Sequence, residues 1–219
     1  MTADSGRSTP AGRRAWTIGA LAAVIVGIGV AVSLIGGGNS PAAGDSPTPP
    51  PAADAQGRTW EAVLHTSVGE IGLSLDGAAA PQAVASFIHL AEEGFFDGTE
   101  CHRLLPDSLL QCGDPSGTGT GGPGYQFGPI ENAPADDLYP AGAVAMARIG
   151  GDGDSMGSQF FLVFDDVVLP SDQAGGYSVM GATTSGLELL HDIGEAGTVD
   201  GSMDGSPLTR VIIESVEVK

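Results

Sequence analysis

The chain has 219 residues, 35 of them glycine, and sets 8 lysines and arginines against 27 aspartates and glutamates, a formal charge of −19. That balance excludes nucleic acid as a partner, because such binding rests on basic side chains that neutralise phosphate. An apolar content of 42% does not fit a disordered chain, and two cysteines cannot staple a disulfide miniprotein, so at least one packed core is expected.

The charge is unevenly placed. Arg7, Arg13 and Arg14 against Asp4 make residues 1–35 net basic at +2, and the remaining 5 basic and 26 acidic residues all follow. Residues 1–15 form a short basic segment. Residues 16–35, WTIGALAAVIVGIGVAVSLI, are then free of charge and, at about 1.5 Å per residue in a helix, match the roughly 30 Å hydrocarbon core of a bilayer. A cleavable signal has a shorter apolar stretch, about 7–15 residues, and a small-residue cleavage site. The following GGGNSPAAGDS offers only an ambiguous one. The reading preferred over cleavage is a transmembrane signal anchor inserted in the lipid bilayer. The preceding arginines place the N-terminus in the cytoplasm and the body outside the cell membrane. No cysteine lies near the span for lipid attachment.

Residues 36–57 mix Gly, Pro and Ala without a large apolar side chain, and read as a linker. The folded domain is expected over 58–219. Trp60–Thr66 and Gly69–Leu75 predict two strands around a short turn, with Ile71, Leu73 and Leu75 alternating against small or polar neighbours. Pro81–Glu93 predicts a helix: Val84, Phe87, Ile88 and Ala91 fall on one face, Pro81 suits its first turn, and Gly94 its end. Short apolar runs at Leu104–Leu105, Leu109–Gln111, Val144–Ala147, Phe160–Phe164 and Ser178–Met180 each predict one strand. A second helix is expected at Leu187–Ile193, and a last strand within Leu208–Val218. Many short strands between glycine-rich turns indicate a sandwich or a closed barrel.

Common catalytic engines are missing: there is no HExxH, Walker loop, GxSxG, or GxGxxG on a strand–helix unit. His65, His89, His102 and His191 are scattered and read as structural or solvated. Asp152-Gly-Asp154 and Asp200…Asp204 faintly suggest calcium turns, but neither completes the twelve-residue pattern with its final glutamate. No metal and no cofactor is expected.

What remains is an ordered set. It comprises Cys101-His102-Arg103-Leu104-Leu105-Pro106, then Gln111-Cys112-Gly113-Asp114, then GTGTGGPGYQF at 117–127. Met146-Ala147-Arg148, Gly157-Ser158-Gln159-Phe160-Phe161 and Tyr177-Ser178-Val179-Met180-Gly181 follow. This series resembles the cyclophilins, a family of peptidyl-prolyl cis–trans isomerases. More narrowly, it is similar to the membrane-anchored cyclophilins of actinobacteria, over essentially all of 60–218. The resemblance implies a mainly β fold, a closed eight-stranded antiparallel barrel capped by two α-helices. It implies Arg103 as the catalytic arginine, acting with Gln111 and Phe161, and Gln111 and Gln159 as substrate-binding glutamines. Leu109, Phe161, Leu169 and Tyr177 would line a proline pocket, Tyr177 standing where many relatives carry histidine. Ala147 would sit on the backbone strip that pairs with the substrate.

That kit suits the chemistry. Rotation about an X–Pro bond faces a barrier of about 18–20 kcal/mol because amide resonance must be broken. An arginine, always protonated, can stabilise the lone pair that localises on the prolyl nitrogen without acting as a base. The implied partners are proline-containing polypeptides.

The set also departs from the family. Ser108 stands where many members have a pocket phenylalanine, leaving that wall thinner or supplied by Leu109 and Leu110. Arg148 replaces the usual asparagine after Met-Ala and adds charge at the peptide strip. The loop Gly150–Met156 is about two residues longer than its commonest form. No tryptophan occupies 165–170, which argues against tight cyclosporin binding. Ser108 and Arg148 motivate the alternative function, a proline-peptide-binding module or scaffold with negligible turnover. Finally, Cys101 and Cys112 bracket the implied hairpin. If it turns near Pro106–Ser108 they fall roughly opposite, within the ~4.4–6.8 Å Cα separation of a disulfide. Two reduced, partly buried thiols are the alternative.

Overall fold

The structure, a computed structural model, describes residues 47–219. The anchor at 16–35 and the first half of the linker, 36–46, lie outside the described residues. Among the described residues no helix is long and apolar enough to cross a membrane.

Two strands, β1 (Thr59–Thr66) and β2 (Gly69–Asp76), form an antiparallel hairpin and lead into α1 (Pro81–Glu92). A broken strand follows, β3 (Thr99–Glu100) and β4 (Arg103–Leu105), then β5 (Leu109–Cys112). Next come β6 (Leu138–Tyr139), β7 (Ala143–Met146), β8 (Phe160–Val163), β9 (Val167–Val168) and β10 (Val179–Ser185). The chain ends with α2 (Leu187–Ala196) and β11 (Ile212–Val218). Nine strands make one antiparallel sheet in the order β3-β11-β1-β2-β10-β7-β8-β5-β4, and β6 pairs with β9 apart from it. The sheet curls: its end strands β3 and β4 are separated only by Cys101 and His102, and Glu100 bridges to Asp114 just beyond β5.

Every strand expected from the alternation is present, with bounds shifted by a few residues; the last begins at Ile212 rather than Leu208. The three that escaped the pattern, β3, β6 and β9, are two residues long, too short for a period of two to register. The ladder holds nine strands rather than eight because the segment from Thr99 to Leu105 pairs first with β11 and then with β5.

Sequence alternation places the core. Leu104, Leu110, Leu162 and Val144 are cross-strand neighbours, all wholly buried on the inner face. There they join Phe87 of α1 and Phe96 and Phe160, whose rings lie 5.2–5.7 Å apart. Helix α1 begins at Pro81 as expected, but Ala80 has no side chain to cap it. The Glu131 carboxylate does so from another loop, accepting from the N–H of Gln82 and of Ala83 at 3.0 Å each. Helix α2 packs closely at Gly194, where a Cβ would lie 2.8 Å from both the Phe164 ring and the Pro106 carbonyl; only glycine admits that approach.

One boundary needs correction. The end of the expected linker is part of the folded body: residues Ala52–Ala55 form a 3-10 turn, and Ala55 is fully buried in the main core. The Ala55 carbonyl accepts from Trp60 Nε1 at 2.8 Å, and the Pro50 carbonyl from Gln82 Nε2 at 2.9 Å. Small side chains were sufficient here because the partner, Trp60, supplies the area.

Candidate active site

The outer face of the same wall builds the site. Arg103 lies opposite Gln111, Gln111 opposite Phe161, and Phe161 opposite Ala145, one row across β4, β5, β8 and β7. Two residues along, Leu105 faces Leu109 and Leu109 faces Val163. Because neighbouring rows alternate between faces, a register that buries Leu104, Leu110 and Leu162 must turn Arg103, Gln111 and Phe161 outwards. Phe160 and Phe161 divide in this way, one in the core and one in the site.

Outside the sheet, Leu109, Tyr139, Ala143, Ala145, Phe161 and Val163 form a second buried apolar cluster, with Leu105, Ala147, Leu169 and Tyr177 packed against it. Phe161, Tyr177 and Tyr139 meet edge to face at centroid distances of 5.5, 6.1 and 6.3 Å. Above them is a cleft of about 510 Å³ lined by Arg103, Leu109, Gln111, Ala147, Phe161, Leu169 and Tyr177. Gln159 lines an adjoining cleft of about 620 Å³, which shares Gln111 and Ala147 with the first. The eight residues expected at the site therefore come together, spread over two clefts that meet. Ala147 gives its N–H to the Gln159 carbonyl at 2.9 Å.

A directional chain of hydrogen bonds crosses the site. Gln159 Nε2 donates to the Gly121 carbonyl (2.9 Å), Gln111 Nε2 to Gln159 Oε1 (2.8 Å), and Arg103 Nη1 to Gln111 Oε1 (3.2 Å). A carbonyl only accepts and a guanidinium only donates, so the two ends dictate the orientation of both amides. The other edge of Arg103 is held by Asp204, with Nε–Oδ1 and Nη2–Oδ2 both 2.7 Å. The Asp204 hydrogen bond pushes the arginine pKa further up, and Arg103 in turn holds the Asp204 carboxyl below its usual range. The site is a permanent cation beside an apolar slot, with amides at fixed orientation.

The sequence matches the cyclophilin-type peptidyl-prolyl cis-trans isomerase/CLD family over residues 62–218. The chain belongs to the cyclophilin family. It is 42% identical over 192 residues to a probable peptidyl-prolyl cis-trans isomerase B of Mycobacterium leprae, a match covering 81% of this chain and 61% of that protein. It is 39% identical over 153 residues to a peptidyl-prolyl cis-trans isomerase of Helicobacter pylori, covering 69% of this chain and 90% of that one. Among solved structures, a cyclophilin-type isomerase of Cryptosporidium parvum superposes with a TM-score of 0.63 at 26% identity, covering 74% of this chain and 98% of that one. The chain spans just over half to three fifths of the length of the mycobacterial relatives it matches.

For this cyclophilin, two expectations about the site change. Arg148 adds no free charge to the peptide strip: its side chain is 1% exposed and paired to Asp172 by two contacts of 3.0 Å. Its Nε donates to the Gly176 carbonyl at 2.8 Å, its Nη2 to the Gly175 carbonyl, and its guanidinium lies 4.9 Å from the centre of the Tyr177 ring. The side chain braces the loop that carries Tyr177. Of the two leucines offered as substitutes for the missing aromatic at Ser108, Leu109 takes the wall and Leu110 turns into the core.

Cys101, in the break between β3 and β4, and Cys112, directly after Gln111, are joined by a disulfide beside the Arg103–Gln111 pair; their Cα atoms are 3.9 Å apart, closer than the ~4.4–6.8 Å expected. The suspected calcium turns hold no metal cluster: among the described residues no three potential ligands gather. Instead Asp204 pairs with Arg103.

Three contributors have no site role in the sequence reading. Tyr139 is buried behind the pocket, its hydroxyl accepting from the Tyr177 N–H at 2.7 Å. Asp114 holds the 116–121 loop that lines both clefts. Asp204 stands out in the sequence only as half of a faint calcium-turn pair, a different role from its pairing with Arg103. Only Asp114 stood inside a quoted motif, directly after the Gln111 strand.

Proposed function

We propose that this chain accelerates cis–trans isomerisation of X–Pro bonds in exported polypeptides. The observation that carries the reading is the Arg103 guanidinium, set in one cross-strand row with Gln111 and Phe161 at the mouth of an apolar cleft. The cleft walls of Phe161, Leu109, Leu169 and Tyr177 grip a pyrrolidine ring, excluding water from one side of the bond. Gln111 and Gln159 hold the flanking peptide. As the amide twists and its lone pair localises on the prolyl nitrogen, Arg103 stabilises that electron pair more than it stabilises the planar amide, and the barrier falls. No proton moves and no covalent intermediate forms. A related Cryptosporidium parvum structure was determined in the presence of the dipeptide Ala-Pro, which supports proline-containing peptides as the ligand class.

We read the curled sheet as a closed eight-stranded barrel, β3 and β4 counting as one strand; the Glu100–Asp114 bridge and the neighbouring disulfide support closure there. Residues 16–35 act as an uncleaved anchor that holds this domain outside the cell membrane. The Cys101–Cys112 disulfide supports that side, since such bonds persist in oxidising compartments. Protease added to intact cells should digest the domain; full protection would overturn the placement.

The catalytic test is the isomerisation rate of a short X–Pro peptide with the detergent-solubilised full-length protein. The wild type should accelerate it, and Arg103→Ala should lower kcat/KM by about 100-fold. Equal background rates from both proteins overturn the enzyme; saturable binding without acceleration would make the domain a binding module.

A further inference from the structure

Asp204 sits on the turn between α2 and β11, and the turn is built to aim it. Its base is tied by a Thr198–Pro207 bridge and by Val199 N–H donating to the Ser206 carbonyl at 2.9 Å. Inside, the Asp200 carboxylate accepts from Ser202 N–H (3.1 Å), Ser202 Oγ (2.7 Å) and Thr198 Oγ1 (3.2 Å), so that acid is spent on the turn itself. Gly205 exchanges two backbone hydrogen bonds with Leu104, at 2.7 and 3.1 Å. The tip is thus registered against the residue next to Arg103, and Asp204 meets the guanidinium side on.

Stability does not explain the pair. The side chains are 45% and 55% exposed, and an ion pair that open to water adds little to folding. Orientation is another matter, because a bidentate carboxylate fixes the plane and direction of a guanidinium. Of its five N–H groups, two go to Asp204 and one, on Nη1, goes to Gln111. One hydrogen on Nη1 and one on Nη2 remain.

We propose that Asp204 is a positioning residue for the isomerase reaction: it takes the Nε–Nη2 edge of Arg103, so that the guanidinium meets the twisting X–Pro amide only through its remaining Nη hydrogens. The proposal rests on Arg103 being the catalytic cation. Solvent screens the carboxylate's opposing field at this exposed position, whereas the orientation it imposes is not screened. Removing the carboxylate therefore slows the reaction despite leaving a less neutralised cation.

The test uses the full-length protein with Asp204→Asn, Asp204→Glu, Arg103→Ala and the Asp204→Asn/Arg103→Ala pair. Asp204→Asn should lower kcat about tenfold while KM stays within about twofold, since the misdirected arginine is missed only in the transition state. Asp204→Glu, which keeps the charge, should recover part of the loss. In the Arg103→Ala background the Asn change should cost nothing more. An unchanged kcat, or the same fractional loss with and without Arg103, overturns the assignment. A second readout is independent of turnover: the Arg103 Nε–Hε resonance should be sharp and protected from exchange in the wild type and lose that protection in Asp204→Asn. If the wild type proves inactive, the isomerase reading fails while this resonance still decides the pairing; protection that survives the substitution overturns the role of Asp204.

Discussion

Asp114 is a carboxylate with no exposed surface, two residues beyond Cys112 of the disulfide, and it is ionised. Burial pushes its pKa up, but the Ser116 hydroxyl and the N–H groups of Ser116, Gly121 and Gly119 outweigh it and hold the carboxyl at about 2. The same donors arrange the loop: Ser116 N–H and Oγ both lie 2.7 Å from Oδ1, with Gly119 and Gly121 N–H at 2.6 and 3.1 Å from Oδ2. Gly121 is indispensable there, since any Cβ would collide with the Asp114 carboxylate. The pKa in the folded protein lies below that of the unfolded chain, 3.8. Its stabilisation is therefore complete above about pH 4 and is lost as pH falls towards 2. The depression amounts to roughly 2 kcal/mol. Asp114→Asn should lose about that much at neutral pH, and its unfolding free energy should fall less steeply than the wild type's between pH 4 and 2, as read by urea titration at each pH. Identical slopes would remove the carboxylate from the account. His102, whose ring nitrogens are buried without a hydrogen-bond partner, differs in sign: burial lowers its pKa, so it favours the neutral ring.

The hairpin of β4 and β5 shows which part of the site can be read from sequence. Arg103, Leu105, Leu109 and Gln111 fall on one face, and Leu104 and Leu110 on the other, because strands alternate and apolar residues choose the core. The family resemblance singled out Arg103, Gln111 and Phe161; the period of two explains why they share a face, and why Phe161 parts from Phe160. Arg148 was misjudged for the opposite reason. It follows β7 at the point where the strand gives way to a loop, and its partners Asp172, Gly175 and Gly176 lie more than twenty residues ahead in a segment without periodicity. Asp204 is hidden in the same way, paired with a residue 101 positions earlier. Loop-borne electrostatics depend on where loops return, which no local pattern encodes. The hairpin's cross-link makes its own prediction. Closing a loop with a sequence separation of 11 should contribute about 3 kcal/mol by restricting the unfolded chain. Cys101→Ser/Cys112→Ser should therefore lower the urea midpoint, and a reducing agent should lower the wild type to the same value. Coincident midpoints for oxidised and reduced wild type would show that the bond constrains nothing.

At the scale of the molecule, one antiparallel wall separates two apolar clusters: an interior packed under α1, and an outer pocket that binds proline on the reading given above. The first is what composition and alternation foretell. The second is legible only with the register, since each of its strands contributes one or two side chains. The fold also draws in residues that composition assigns to a spacer. Ala55 is wholly buried, its carbonyl holds the Trp60 indole, and Arg58 stacks 3.5 Å from the centre of that ring. A fragment that starts at residue 58 keeps Trp60 but leaves its N–H without the Ala55 acceptor, and opens the core around it to water. A buried donor left unpaired costs about 1–3 kcal/mol, so fragment 58–219 should unfold about 2 kcal/mol more easily than fragment 47–219. Of the two tryptophans in the chain, only Trp60 falls in either fragment, so its emission reports the difference directly. The shorter fragment should emit further to the red and melt at a lower temperature. Equal melting points and equal emission would return residues 47–57 to the role of a passive tether.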